Sequence, residues 1–254
     1  MIPYGKQNIN QADIDSVVDV LHSDFLTQGP KVIEFEKNLS DYCKAKYTKV
    51  VNNGTAALHL AYLAIGLKKD DIVWTTPNTF VATANSALYC GAAIDFVDIN
   101  PKTYNLSIDC LKEKLIQAKE DNKLPKLVVP VHFAGQSCEM EEIWRLSQEY
   151  GFKVIEDACH ALGGEYQNNK IGCCKYSDMA VFSFHPVKMI TTGEGGAITT
   201  NNKQLDERID LLRSHGITKN ATKFDNESVG GWYYEQQALG FNYRLTDIQS
   251  ALGI

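Results

Sequence analysis

The chain has 254 residues, 44% of them hydrophobic and 22% charged, with a net charge of −6 and a pI near 5.5. That length buries one large core or two modest ones, and a mean hydropathy of −0.24 reads as a soluble, globular chain. The 25 basic residues are scattered, which excludes a nucleic-acid or polybasic membrane footprint; no apolar run approaches the roughly 18 residues of a membrane span, and the polar N-terminus lacks a secretory signal.

Asn10–His22 and Lys31–Cys43 read as amphipathic helices flanking the loop Phe25-Leu26-Thr27-Gln28-Gly29-Pro30, which cannot be sheet core, and residues 1–45 are expected to form a helical arm. From residue 46 onward the pattern alternates. Short apolar runs predict strands at Lys49–Asn52, Ile72–Thr75, Ala93–Val97, Leu127–Val131, Val154–Asp157, Ala180–Phe184 and Gly196–Thr200. Helical stretches lie between them, near 55–66, 78–90, 108–121, 139–150 and 203–214. Alternating units of this length imply a mostly parallel sheet between two helical layers, an α/β/α core over 46–254. Leu245–Gly253 reads as a helix still running at Ile254, as expected of a fragment or an isolated large domain.

Seven cysteines, at 43, 90, 110, 138, 159, 173 and 174, form no regular pattern and suggest reduced cytosolic thiols, hence a cytoplasmic protein. The adjacent Cys173 and Cys174 lack the spacing of a zinc knuckle, so no metal site is expected.

Chemistry concentrates where predicted strands end. The first runs into Asn52-Asn53-Gly54-Thr55-Ala56, whose N–H groups and helix dipole suit an anion; an ordinary helix cap with a small-residue packing face is the plainer reading. The second is stopped by Pro77, which leaves Phe80 either at the ligand edge, where it can stack on a flat ring, or in the core. Asp157 ends the fifth and either caps the next helix or meets a cation; His160 follows three residues later, positioned to orient Asp157, touch a ligand or merely pack. Ser183 ends the sixth, and Lys188 follows in SFHPVKMITTGEGG, where Gly193, Gly195 and Gly196 allow close approach and positive φ. An acid and a lysine on the ligand edge of one sheet fit pyridoxal phosphate, which uses a lysine as its covalent anchor and an acid opposite its ring nitrogen.

The stretches NNGTAALHLA, TTPNTFVATANS, EDACHALG, SFHPVKMITTGEGGAITT, LLRSHGI and GFNYRLTDIQSALG resemble the DegT/DnrJ/EryC1/StrS family of nucleotide-sugar aminotransferases, over essentially the whole chain. The resemblance implies the large domain of fold-type-I pyridoxal-phosphate-dependent transferases, with a C-terminal small domain missing. It implies Lys188 as the cofactor-binding lysine, Asp157 as the pyridinium partner, Thr55, Ala56 and Ser183 at the phosphate, Phe80 on the ring, and His160 at a position held by Gln or His. Asn242 resembles an asparagine that reaches the other subunit's cofactor phosphate, so a homodimer with shared active sites is expected. Tyr4 and the loop Asp24, Phe25, Leu26 and Thr27 match sugar-nucleotide contacts. Asn53 departs from the serine usual beside the phosphate.

The implied activity moves the amino group of L-glutamate to C4 of a UDP-linked 4-keto-6-deoxy-N-acetylhexosamine, on the route to pseudaminic acid. Another 3- or 4-keto nucleotide sugar, or a non-catalytic regulator on the same fold, is the alternative. Sugar dehydratases of the family carry histidine in place of Lys188. A nicotinamide-dependent dehydrogenase needs a glycine fingerprint after the first strand and an acid closing the second, and neither is present.

Overall fold

The computed structural model describes residues 5–227 and 230–254. One seven-stranded sheet contains β1 (Tyr47–Val51), β2 (Ile72–Thr75), β3 (Ala93–Phe96), β4 (Leu127–Val128), β5 (Lys153–Asp157), β6 (Met179–Ser183) and β7 (Gly196–Thr200), in the order β1-β7-β6-β5-β4-β2-β3. The run from β6 to β3 is parallel throughout, while β7 pairs antiparallel with both β6 and β1. Six strands therefore point one way, and Val51, Thr75, Asp157 and Ser183 end on one edge. The expected mostly parallel α/β sheet is present. The fourth strand is shorter than expected because Pro130 has no N–H to continue the ladder; Val131 regains only an isolated bridge, to Asp157.

Strand residues alternate between two helical layers, which fixes the register. Val51, Ile155, Val181 and Ile198 pack under α3 (Gly54–Ala64), α4 (Val81–Tyr89) and α7 (Lys203–Arg213). On the opposite face, Val50, Ala180, Phe182 and Ala197 meet Phe35 and Leu39 of α2 (Pro30–Cys43), and Val128 and Val154 meet α5 (Ile108–Glu120) and α6 (Met140–Tyr150). Helix α3 is apolar almost all round, as a helix sandwiched between sheet and neighbouring helices must be.

The arm begins with α1 (Gln11–Leu21), capped at both its first N–H groups and the Asn10 N–H by an Asn10–Asp13 capping box. Loop 23–29 then docks on α8 (Asp247–Gly253). The buried Asp247 carboxylate accepts the Gly29 N–H at 2.7 Å and the Lys31 N–H at 3.0 Å, and the Asp247 N–H donates to Leu26 O at 3.1 Å.

Candidate active site

The sheet edge opens into a cavity of about 1060 Å³. Thr55, Ala56, Phe80, Asp157, His160, Ser183 and Lys188 all line it, so seven of the residues expected to meet a cofactor come together.

The anion cup forms where β1 gives way to α3. Asn53 caps the helix, its Oδ1 accepting the Ala56 N–H at 2.8 Å. Ala57 N–H bonds Asn53 O, which leaves the N–H groups of Gly54 and Thr55 without an acceptor among the described residues. Asn53 thus fills the same helix-capping role that a serine would, taking the Ala56 N–H. Gly54 is needed for closeness: a Cβ there would lie 2.9 Å from Ser183 Cβ, bringing the cup against the end of β6. Gly196 lets β7 start against the same turn, where a Cβ would fall 2.6 Å from Asn53 O. Positive φ was expected at three glycines of the lysine loop, but only Gly193 adopts it; Gly195 and Gly196 serve close packing instead.

Lys188 lies in the loop between β6 and β7 rather than at a strand end. The loop is pinched at its base, with Phe184 N–H on Gly195 O at 2.8 Å and Thr192 N–H on Phe184 O at 3.0 Å, and Lys188 N–H donates to His185 O. The Lys188 amine forms no ion pair among the described residues and faces the cavity half-buried. Phe80 precedes α4 with its ring 71% exposed at the cavity, a large apolar surface awaiting cover.

Asp157 is 5% exposed. Its Oδ2 accepts the Thr83 hydroxyl at 2.6 Å and its Oδ1 accepts the Cys159 N–H at 3.2 Å. Of the roles open to His160, orienting this carboxylate is not the one observed among the described residues, since no hydrogen bond joins them. Its ring instead sits edge-on to Phe133, 6.4 Å between centroids. Burial, seconded by the nearby Lys188 charge, pushes the His160 imidazole below its ordinary range against the pull of Asp157.

The neighbouring Glu156 points to the other face. Its carboxylate accepts from Ser177 Oγ at 2.5 Å and meets His132 Nε2 at 2.7 Å. Because His132 Nδ1 accepts the Cys138 N–H at 3.1 Å, the ring proton sits on Nε2 and is donated to Glu156. The His132 backbone N–H donates to Asp157 O, tying this network to the strand end.

An aromatic wall escaped the sequence reading. His59, Tyr89 and Tyr243 line the same cavity, with His59 Nδ1 3.3 Å from the Tyr243 hydroxyl and Phe241 packed behind. Burial pushes the His59 imidazole down. Its position one helical turn after Thr55 on α3 was the available signal. Thr83 was also missed, though it stands one turn after Thr79.

Other expected residues lie elsewhere. Asn242 is exposed and does not line this cavity, although its neighbour Tyr243 does. Asp24, Phe25, Leu26 and Thr27 are exposed on the arm loop, also outside the cavity. Tyr4 lies outside the described residues.

Residues 7–254 match the DegT/DnrJ/EryC1/StrS aminotransferase family. The chain belongs to that family. Among its DegT-family relatives, a UDP-4-amino-4,6-dideoxy-N-acetyl-beta-L-altrosamine transaminase of Campylobacter jejuni is 46% identical over all of this chain and 63% of its own length. PseC of Helicobacter pylori, an aminotransferase involved in the biosynthesis of pseudoaminic acid, superposes with a TM-score of 0.89 at 38% identity, over 99% of this chain and 63% of that one. NtdA of Bacillus subtilis, solved with bound cofactor PMP, superposes at 0.79 with 30% identity, over 96% of this chain and 52% of that one. The chain thus spans less than two thirds of the length of these relatives. The likeness to PseC shows the expected fold-type-I aminotransferase fold of the sheet and its helices.

Proposed function

We propose that this protein is a pyridoxal-phosphate-dependent aminotransferase that moves nitrogen from L-glutamate to C4 of a UDP-linked 4-keto-6-deoxy-N-acetylhexosamine, in pseudaminic acid biosynthesis. One observation carries the cofactor reading: Lys188 and Asp157, far apart in sequence, face a single cavity beside an anion cup. The sugar reading is supported by identity to the Campylobacter transaminase and by the superposition on PseC.

The residues present fit the cofactor. Two N–H groups at the start of α3 and the Ser183 hydroxyl would hold its phosphate, and Phe80 would cover a ring face. Asp157, with one hydrogen bond already on each oxygen, keeps an acceptor for a protonated ring nitrogen. When bound, pyridoxal phosphate supplies an electron-withdrawing ring that stabilises charge at the carbon bearing the transferred nitrogen. Lys188 would anchor the cofactor, and its amine would hold and move the proton at the carbon bearing the transferred nitrogen. His160, held neutral by burial, stays available to accept a hydrogen bond rather than add a second positive charge.

Exposed Asn242, on the segment that also supplies Tyr243, fits a homodimer in which each subunit completes the other's phosphate site. The loop Asp24–Thr27, with Phe25 and Leu26 half-exposed, then offers sugar-nucleotide contacts at such a shared site. Seven unpaired thiols suit a cytoplasmic setting, and no helix among the described residues is long and apolar enough to cross a membrane.

The test is borohydride reduction of protein supplied with pyridoxal phosphate, followed by peptide mass mapping. A phosphopyridoxyl adduct on Lys188 is expected; an adduct elsewhere, or none, rejects the cofactor reading. Glutamate consumption that depends on the UDP-4-ketosugar, and fails with other ketosugars, tests the substrate.

A further inference from the structure

We infer that Thr79 and Thr83 form a two-hydroxyl chain that fixes the charge and orientation of Asp157, with Thr83 as the positioning residue and Thr79 acting through it. This inference rests on the cofactor reading above.

The geometry sets the direction of the chain. Thr83 Oγ1 lies 2.6 Å from Asp157 Oδ2 and 2.8 Å from Thr79 Oγ1. A hydroxyl has one proton, and an ionised carboxylate only accepts. Thr83 therefore donates to Asp157, and Thr79 must donate to Thr83. Thr79 lines the cavity, whereas Thr83 is fully buried, so the chain runs from the cavity wall to the acid.

Thr83 is itself held in place. The hydroxyl of buried Tyr62, on α3, donates to Thr83 O at 3.0 Å, and the Thr83 N–H donates to Phe80 O at 3.2 Å. The first turn of α4 thus links the exposed Phe80 to the acid beneath it. No cationic side chain is within hydrogen-bonding reach of Asp157, so its two oxygens depend on the Thr83 hydroxyl and the Cys159 N–H alone among the described residues. Removing one of two bonds to a buried charge is costly, because nothing else compensates it.

The measurement is the dissociation constant of pyridoxal phosphate, by fluorescence titration of the cofactor-stripped chain, in wild type, Thr83→Val, Thr83→Ser, Thr79→Val and the Thr79→Val/Thr83→Val double variant. Thr83→Val is expected to weaken binding about ten- to a hundredfold, and Thr83→Ser to restore it to within about threefold of wild type. Thr79→Val is expected to weaken it by a smaller factor of about three. The double variant should match Thr83→Val alone, because a chain broken at its last link gains nothing from its first.

Additive losses, or wild-type binding by Thr83→Val, would overturn the inference. If Thr83→Val does not fold, wild-type binding by Thr79→Val overturns it and a loss sustains it. Wild-type protein that yields the Lys188 adduct while the variants bind normally removes only this inference; absence of that adduct in wild type removes the cofactor reading itself.

Discussion

The two sides of the end of β5 make an instructive pair. Glu156 and Asp157 are chain neighbours, both carboxylates and both about 5% exposed, yet their surroundings differ in kind. Glu156 is closed off: Ser177 and His132 take its oxygens, and the Cys138 N–H fixes the imidazole in turn. Asp157 receives one bond on each oxygen and still borders a large cavity shared with an unpaired lysine. Burial of an acid therefore says little about its use. What separates structure from chemistry here is the capacity left over after internal partners are counted.

Substitutions should pull the two sides apart. The largest effect is expected from Lys188→Ala, which faces the Asp157 side: loss of the phosphopyridoxyl adduct and a fall in amino transfer of about a hundred- to ten-thousandfold, with an unchanged urea midpoint. Glu156→Ala should do the reverse. It strands the neutral donors of His132 and Ser177 without an acceptor and should lower unfolding free energy by about 2–5 kcal/mol, read from urea denaturation, while folded molecules still form the adduct. Asp157→Asn keeps the shape and removes the charge; cofactor binding should weaken about ten- to a hundredfold with little change in stability.

The smallest effect concerns pH. Burial pushes His59 and His160 below their ordinary range. On acidification the unfolded chain takes up these protons first, so stability is present above the ordinary histidine value of about 6.5 and is lost as pH falls below it. Urea midpoints should drop between neutral and mildly acidic pH, and His160→Gln should flatten that slope.

Much of this arrangement is legible in the sequence. All seven strands and the helices between them follow apolar periodicity, because the central strands β4 to β7 are covered on both faces and each helix must cover one, while the edge strand β3 is largely exposed. Asp157 stands out because a charged residue closing such a strand needs a reason, and Lys188 because it sits in the glycine-rich loop that follows one. The missed parts share a physical cause. Strand direction is not written in local pattern, so the antiparallel pairing of β7 with both neighbours is invisible until the lysine loop is seen to fold straight back from β6. Thr83 meets Asp157 across 74 positions of chain, and a buried threonine in a helix looks like any small packing residue. The shortening of β4 was readable, since Pro130 stood inside the predicted run.

The Asp247 clamp on loop 23–29 has a consequence for how the molecule is made. The carboxylate that satisfies the Gly29 N–H lies 218 residues further along the chain. On the ribosome the arm helices emerge early and wait, their loop uncapped, until those 218 further residues have been synthesised. The sheet can assemble behind them, but the arm settles only when that aspartate arrives, so until then it stays open to proteases and chaperones.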